Sequence, residues 1–199
     1  MSELKKHGGP FFVRYDTKSK RELWKTHCYA ETYDDLVKTS IRLSEDYKYE
    51  NETVAVREYV QLQAFSNSGS FSRGDGTNQS TSHNGGMFTS LGGQPIVKEF
   101  RVHRAYGTEL CRHFYWEPFQ EDIELQHGAL DPFSIPSAWL KEITDIADGF
   151  SNFYVVDVAQ TASGEWILIE VNEGQHAGVH TDHLKTYYKN LHDVVVCKV

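Results

Sequence analysis

Three polar side chains interrupt two apolar runs in the last quarter of the sequence. Asp157 lies inside VVDVA, whereas Glu170 and Asn172 alternate inside ILIEVN. Side chains two residues apart on a strand project from the same face, so Glu170 and Asn172 point to one side. If the two runs form a hairpin, Asp157 can reach that face as well. Carboxylate and amide oxygens that converge in this way suit a magnesium ion carrying phosphate oxygens.

The register of the hairpin decides whether these side chains meet. Pairing of Gln160 with Glu165 across the TASG loop would place Asp157 opposite Leu168 and on the same face as Glu170. A slip of one residue would turn Asp157 to the other face and destroy the convergence. The alternative interpretation is an exposed sheet face on which polar residues simply contact water.

Basic residues supply what a bound phosphate would need. In VKEFRV, Lys98 lies on one side of a predicted strand and Glu99 and Arg101 lie on the other. A nucleoside triphosphate needs magnesium to bridge its phosphates, and Arg or Lys to neutralise the remaining oxygens. Arg101 is the strongest candidate because it lies in the middle of a strand, whereas other cations are more simply solvated surface charges.

The elements that must position these residues follow from hydrophobic patterns. PFFVRY at 10–15 predicts a strand, and LWKTHCYAE after a polar loop predicts the strand that returns. TVAVREYVQLQAF at 53–65 predicts a valine-rich strand, and AYGTE marks a turn between two further strands. Helices are predicted over 33–47, 136–149 and 181–195.

One long segment is unlike the rest. Residues 66–94 are dominated by glycine, serine, threonine and asparagine. This composition offers too little apolar burial to offset the conformational entropy of the chain. The segment is therefore predicted to be a mobile insertion or a lid.

Composition restricts the class of protein. The 199 residues fit one domain, or one domain with two lobes. A net charge of -8 argues against a general nucleic-acid binder, because no excess basic charge neutralises phosphates. Three cysteines without CxxC spacing predict no disulfide framework. The opening MSELKKHGGPFF lacks an apolar signal core and no run of about 18 apolar residues occurs, which predicts a soluble cytoplasmic protein without a membrane partner.

Histidines near the end of the sequence raise the question of zinc. His176, His180 and His183 lie close together, and Cys111 is near His113. None of these groups has the ligand spacing of a defined zinc motif, so incidental histidines are the favoured interpretation.

Together these segments resemble one family. VVDVAQTASGEWILIEVNEG resembles the metal-binding hairpin of ATP-grasp enzymes, in which Asp and then Glu-x-Asn hold magnesium. PFFVRYDTKSK is similar to the strand and phosphate loop of their nucleotide lobe, VAVREYVQL to the hinge strand that reads adenine, and VKEFRV to the strand whose Arg contacts phosphates. The order matches over about 10–190. The likeness is closest to the RimK-like, peptide-ligase-like branch and more distant to the cell-cycle ATP-grasp chaperones that help assemble a translation initiation factor.

The resemblance implies roles for individual residues in the metal and phosphate lobe. The magnesium ligands would be Asp157, Glu170 and Asn172. Arg101 would be the catalytic residue that contacts the phosphates near the transferred group, and Lys98 is a weaker candidate for ATP binding.

Roles in the nucleotide lobe follow in the same way. Glu58 would accept a hydrogen bond from the adenine amino group, and the backbone at Tyr59 and Val60 would read the ring edge. Arg14 stands where the wider superfamily usually has lysine, which keeps the charge but changes the geometry. Further ATP-binding candidates come from the first strand and the loop after it: Arg14, Lys18 and Lys20.

The resemblance also implies a fold. It is an α+β, ATP-grasp-like fold in which two lobes of mainly antiparallel sheet, with helices, clasp a nucleotide. The chain 1–199 is then a single domain, with a nucleotide lobe at about 10–65, the mobile insertion at 66–94, and a metal and phosphate lobe at about 95–199.

The implied activity is that of an ADP-forming ligase that uses ATP and Mg²⁺ to join a carboxylate to an amine through an acylphosphate. Its substrates would be small-molecule or peptide carboxylates and amines, or a protein. The alternative is an ATP-binding assembly chaperone or interaction module without ligase activity. A third possibility, transfer of phosphate or nucleotide to another acceptor, would use the same metal site.

Overall fold

The computed structural model divides the chain into two compact units. The first comprises Met1–Gln61 and Ser66–Ile96, and the second comprises Leu62–Phe65 and Val97–Val199. The residues that the structure describes are 2–15, 23–46, 53–67, 86–90 and 92–197.

The first unit contains a three-stranded antiparallel sheet in the order β2-β1-β3. One helix, α2, packs beside it. The elements of this unit are α1 (Ser2–His7), β1 (Phe11–Tyr15), β2 (Tyr29–Ala30), α2 (Tyr33–Ser44) and β3 (Val54–Glu58).

Helix α2 forms where its sequence predicts it. The Thr32 hydroxyl caps the helix by accepting a hydrogen bond from the Asp35 amide at 3.2 Å. Leu36 and Leu43, seven residues apart and so on one side of the helix, are buried against the sheet. The Tyr15 hydroxyl donates to the Leu43 carbonyl at 2.7 Å, which ties the end of β1 to the end of the helix.

Two predicted strands are shorter than the sequence indicated. In LWKTHCYAE only Tyr29–Ala30 is a strand, and Trp24–Cys28 forms a single π-helical turn. This turn buries Trp24 and Cys28, four residues apart, in one cluster with Phe12. The predicted strand at 53–65 ends at Glu58, because the chain then passes from the first unit to the second at Leu62.

The second unit is built on a four-stranded antiparallel sheet in the order β5-β4-β6-β7. Both predicted hairpins are confirmed. The two-residue turn between β4 and β5 holds Tyr106 and Gly107 at φ of 48° and 77°, as AYGTE predicts. The elements are β4 (Glu99–Ala105), β5 (Thr108–Phe114), α3 (Gln120–His127), α4 (Ser137–Asp148), β6 (Phe153–Gln160), β7 (Trp166–Glu173) and α5 (Leu184–Val196).

Helices cover both faces of this sheet. On one face the Tyr154 hydroxyl reaches the α4 residue Asp148 at 2.6 Å, and Arg104 donates to the same carboxylate at 3.0 Å. On the other face, set by strand alternation, Tyr187 of α5 packs in a buried cluster with Ala105 and Cys111. The sheet is therefore buried on two sides, which explains the nearly continuous burial of β6.

Helix α3 was not predicted from the sequence. QEDIELQH has one fully buried apolar residue, Ile123, and so gives almost no helical periodicity. The predicted insertion is only partly visible: 68–85 and residue 91 lie outside the described residues. At its edges Ser66 pairs with Met87, and Phe88 is 2% exposed.

Two expectations about chemistry and membranes can be checked directly. None of the three cysteines, all of which lie in the described ranges, forms a disulfide: Cys28 and Cys111 are buried and Cys197 is exposed. Among the described residues, no helix combines the length and the apolar character needed to cross a membrane.

The turn after β7 should tolerate substitution unevenly. A Cβ added at Gly174 would lie 2.9 Å from ring carbons of Phe153, whereas one added at Gly178 meets nothing within 4 Å. We expect Gly174→Ala to lower the free energy of unfolding by about 1–3 kcal/mol, because the Phe153 ring must move out of its packed position. Gly178→Ala should change it by less than about 0.5 kcal/mol. Urea unfolding of both variants measures the difference, and equal losses would show that the turn is not tightly packed.

Candidate functional site

The register of the β6–β7 hairpin places Asp157 directly opposite Glu170. Near the turn the pairing differs from the one considered from the sequence, since Gln160 pairs with Trp166 rather than with Glu165. That one-residue slip alone would have set Asp157 opposite Ile169, which faces away from Glu170.

A β-bulge restores the convergence. The register shifts between Asp157 and Val158, so that Val158 pairs with Leu168 whereas Asp157 pairs with Glu170. The extra residue on β7 returns Asp157 and Glu170 to the same face of the sheet. Asn172, two residues beyond Glu170, lies on this face too. The sequence-predicted trio thus shares one face, by a route that the sequence did not reveal.

Burial falls from the centre of the sheet to its edge. Asp157 is 0% exposed, Glu170 is half-buried and Asn172 is exposed. The interpretation of an exposed, water-covered face is therefore wrong for Asp157. The three polar groups form a gradient from a buried carboxylate to a solvent-accessible amide at edge strand β7.

Arg101 is the charged partner of Asp157. It lies opposite Asp157 on the neighbouring strand, and its Nε and Nη2 donate to Oδ1 and Oδ2, each at 2.7 Å. Its guanidinium carbon lies 4.8 Å from the ring centre of Tyr115. Burial alone would lower the pKa of Arg101, but the hydrogen bonds and charge of Asp157 raise it above its ordinary value. Arg101 is thus held as a fixed cation beside the trio.

These side chains suit a magnesium ion that arrives with phosphate. Carboxylate and amide oxygens are the ligands that hard cations prefer. A carboxylate has about four lone-pair positions, so Asp157 retains acceptor capacity after binding Arg101. A bare cation would be repelled by the Arg101 charge, whereas one carrying anionic oxygens would not. Among the described residues, no three His, Cys, Asp or Glu side chains already surround a metal position, and Asn172 would supply the third oxygen here.

Lys98 does not lie beside Arg101. Its ammonium group is 5.7 Å from the ring centre of Trp166, and the same ring is 5.9 Å from that of Phe100. Phe100 is adjacent to Arg101 on β4 and so points to the opposite face of the sheet. The role of Lys98 in ATP binding stays a prediction.

The predicted nucleotide residues of the first unit are mostly accessible. The Glu58 side chain is 68% exposed and lies 3.6 Å from His7 Nε2. The Tyr59 amide donates to the Pro10 carbonyl at 3.1 Å, so its N–H is already used within this unit. Val60 is 44% exposed, and Arg14 Nε donates to the Tyr15 carbonyl at 2.9 Å. Their roles stay predictions, as do those of two residues outside the described ranges, Lys18 and Lys20.

Sequence reasoning missed two groups of residues. An aromatic cluster of Phe12, Trp24, Tyr29 and Tyr59 covers one side of the first unit. In the second unit, His103 and His113 lie on the same face as Arg101, as strand alternation would have indicated. His113 pairs directly with Arg101 across β4 and β5.

Removing the charge of Asp157 should be costly. Asp157→Asn keeps the side-chain size but leaves Arg101, itself only 13% exposed, without its anionic partner. We expect a loss of about 2–4 kcal/mol in the free energy of unfolding, measured with urea in the presence of EDTA. The matched control is Asp145→Asn, which breaks an exposed pair with Lys141 and should cost less than about 0.5 kcal/mol. Similar losses in both variants would contradict a buried ion pair.

Comparison with known proteins places the chain in a family. A solved structure of C-terminally truncated Cdc123 from Schizosaccharomyces pombe is similar, with 14% identity and a TM-score of 0.42. The similarity covers 86% of this chain and 62% of the Cdc123 chain, so this chain spans less than two thirds of that protein's length. No curated protein sequence matches. A family model that describes an ATP-grasp domain, the third family of its clade, matches residues 4–191, and the chain therefore belongs to this ATP-grasp family, with its α+β architecture of two antiparallel sheets and helices.

Proposed function

We propose that this protein is an ATP- and Mg²⁺-dependent carboxylate–amine ligase. The observation that carries the proposal is the placement of Asp157 directly opposite Glu170 and directly beside Arg101. Membership of an ATP-grasp family supports nucleotide binding in general. The donor set of the second unit supplies what the phosphates of such a nucleotide need: oxygens for a hard cation and a fixed guanidinium.

The reaction needs no protein nucleophile. A carboxylate oxygen attacks the γ-phosphorus, the bond to the ADP oxygen breaks, and an acylphosphate forms. The amine then attacks the acyl carbon, phosphate leaves with the bonding electrons, and the amine proton passes to solvent. When bound, Mg²⁺ supplies charge neutralisation on the phosphate oxygens.

The residues of this chain act by position and charge. Arg101 offsets charge that develops on the transferring phosphoryl group, because its guanidinium is held in a fixed orientation by two hydrogen bonds to Asp157. Glu170 and Asn172 hold the cation at the accessible side of the sheet. Asp157, which is completely buried, excludes water from that end of the site while it orients Arg101.

The remaining parts of the proposal concern the nucleotide base, the substrates and the setting. Adenine binds along the exposed Glu58 and Val60 in the first unit, which suits a planar ring with polar edges. The acceptors are small-molecule or peptide carboxylates and amines, or a protein. The reaction takes place in the cytoplasm.

Binding of Mg²⁺-ATP should depend on Glu170. A ligand that binds the native state stabilises it by about 2.7 kcal/mol at a concentration of 100 times its Kd. We expect Mg²⁺-ATP to raise the melting temperature of the wild type, and Glu170→Gln to lose most of this increase because a charge is removed from the shell of a hard cation. Glu173→Gln on the same strand but the opposite face is the control, and it should behave as wild type. Equal responses of both variants would exclude Glu170 as a ligand.

Turnover separates the ligase from the other classes. We expect ADP release only when a carboxylate and an amine are both present, in a panel of amino acids, short peptides and amines assayed with Mg²⁺-ATP. Binding without turnover across the whole panel would favour an ATP-binding assembly module instead. ADP release that needs no amine would indicate transfer to another acceptor.

A further inference from the structure

Four imidazole rings gather in the second unit, where the β4–β5 hairpin meets the chain before α5. The ring of His113 lies 5.3 Å from His103, 5.6 Å from His183 and 5.8 Å from His180, measured between ring centres. His103 is 0% and His113 is 5% exposed. None of the four belongs to the proposed nucleotide site.

The hydrogen bonds of His113 determine which of its nitrogens carries a hydrogen. Its Nδ1 lies 2.9 Å from the Phe114 carbonyl oxygen, and a carbonyl can only accept. Nδ1 is therefore the protonated nitrogen of the neutral ring, and the Nε2 lone pair is available. That lone pair points towards His103, whose Nε2 is 3.1 Å away.

His103 leaves a buried lone pair unsatisfied in either tautomer. If its Nε2 carries the hydrogen, it donates to His113, and the buried Nδ1 has a lone pair without a well-formed hydrogen bond. If Nδ1 carries the hydrogen, directed towards the backbone of Gly178, two lone pairs face each other at 3.1 Å. A positive charge between the two Nε2 atoms would remove the deficit in the second case.

A proton does not supply that charge near neutral pH. Burial, and next the neighbouring His113, lowers the pKa of His103 to about 3. Burial is also the main reason that the pKa of His113 falls to about 4. Both rings are therefore neutral under physiological conditions, which is the form that binds metal ions.

We propose that His103, His113 and His183 form a binding site for Zn²⁺ or a similar borderline transition-metal ion. The 3.1 Å between the two Nε2 atoms is close to the separation of two nitrogens that each lie about 2.0–2.1 Å from one ion. The bond from His113 Nδ1 to a backbone carbonyl is the outer contact that usually orients a metal-binding histidine. Nitrogen ligands select zinc, copper or nickel over magnesium.

His183 completes the site when the ion binds. No three such ligands surround a common point among the described residues, so the third ring has to turn inward. His183 is half-buried and stacks on His113 with an angle of 23° between the ring planes. A partly exposed side chain turns readily, on the picosecond to nanosecond timescale. His180 is less suited, because its Nδ1 accepts from the Asp182 amide at 3.2 Å and its Nε2 then carries the hydrogen.

The ion would fasten α5 to the sheet. His183 directly precedes α5, whereas His103 and His113 belong to β4 and β5. Tyr187, one turn further along α5, already packs its ring 5.3 Å from that of His103. Zinc binding therefore extends an existing contact and does not depend on whether the protein is a ligase.

The test uses full-length protein without a histidine tag, freed of metal with EDTA. We expect Co²⁺ to bind once per chain with the intense visible absorption of a four-coordinate site, and Zn²⁺ to displace it. His183→Ala should weaken Zn²⁺ binding at least about 100-fold, more than the loss of an outer contact. His192→Ala is the control, because this exposed histidine also lies on α5 and should leave affinity unchanged.

Each other result decides against the proposal. Absence of a bound Co²⁺ with four-coordinate absorption, or equal Zn²⁺ affinity of His183→Ala and His192→Ala, would mean that the buried pair is only hydrogen-bonded. Loss of binding in His180→Ala but not in His183→Ala would overturn the assigned ligand set. His183 is half-buried, so its variant should fold, and circular dichroism checks this before the titration.

Discussion

The ion pair between Arg101 and Asp157 is the interaction on which the rest of the second unit depends. A carboxylate that is 0% exposed is costly to bury, and two charge-assisted hydrogen bonds from a single guanidinium offset much of this cost. The pair joins β4 to β6 at the centre of the sheet. It also decides what the site can bind, since a fixed positive charge beside the buried carboxylate favours a cation only when anionic oxygens accompany it.

The irregularity in the sheet matters as much as the ion pair. A regular hairpin with the observed pairing of Gln160 and Trp166 would turn Asp157 away from Glu170. The bulge on β7 reverses this and brings buried and accessible oxygens to one face. Helices on both sides of the sheet keep β6 buried, so that the accessible approach to the trio is the exposed edge at Asn172.

Local patterns predicted the elements better than they predicted contacts between them. The AYGTE turn, the cap at Thr32 and the apolar periodicity of α2 and α4 are visible in a few neighbouring residues. The pairing of Arg101 with Asp157 joins residues 56 positions apart, and no local pattern encodes it. The bulge was missed because TASG permits more than one register. The histidine cluster was missed because its members come from two strands and a turn before α5.

The central claim is that Asp157, Glu170 and Asn172 hold the metal ion that accompanies the nucleotide phosphates. The most direct measurement is a crystal structure with Mn²⁺ and a non-hydrolysable ATP analogue, using the anomalous scattering of manganese to locate the ion. The account predicts an anomalous peak within ligand distance of the side-chain oxygens of Asp157 and Glu170, with Arg101 contacting the phosphate oxygens. A manganese peak coordinated elsewhere, with the analogue bound and Asp157 contacting only Arg101, would contradict it.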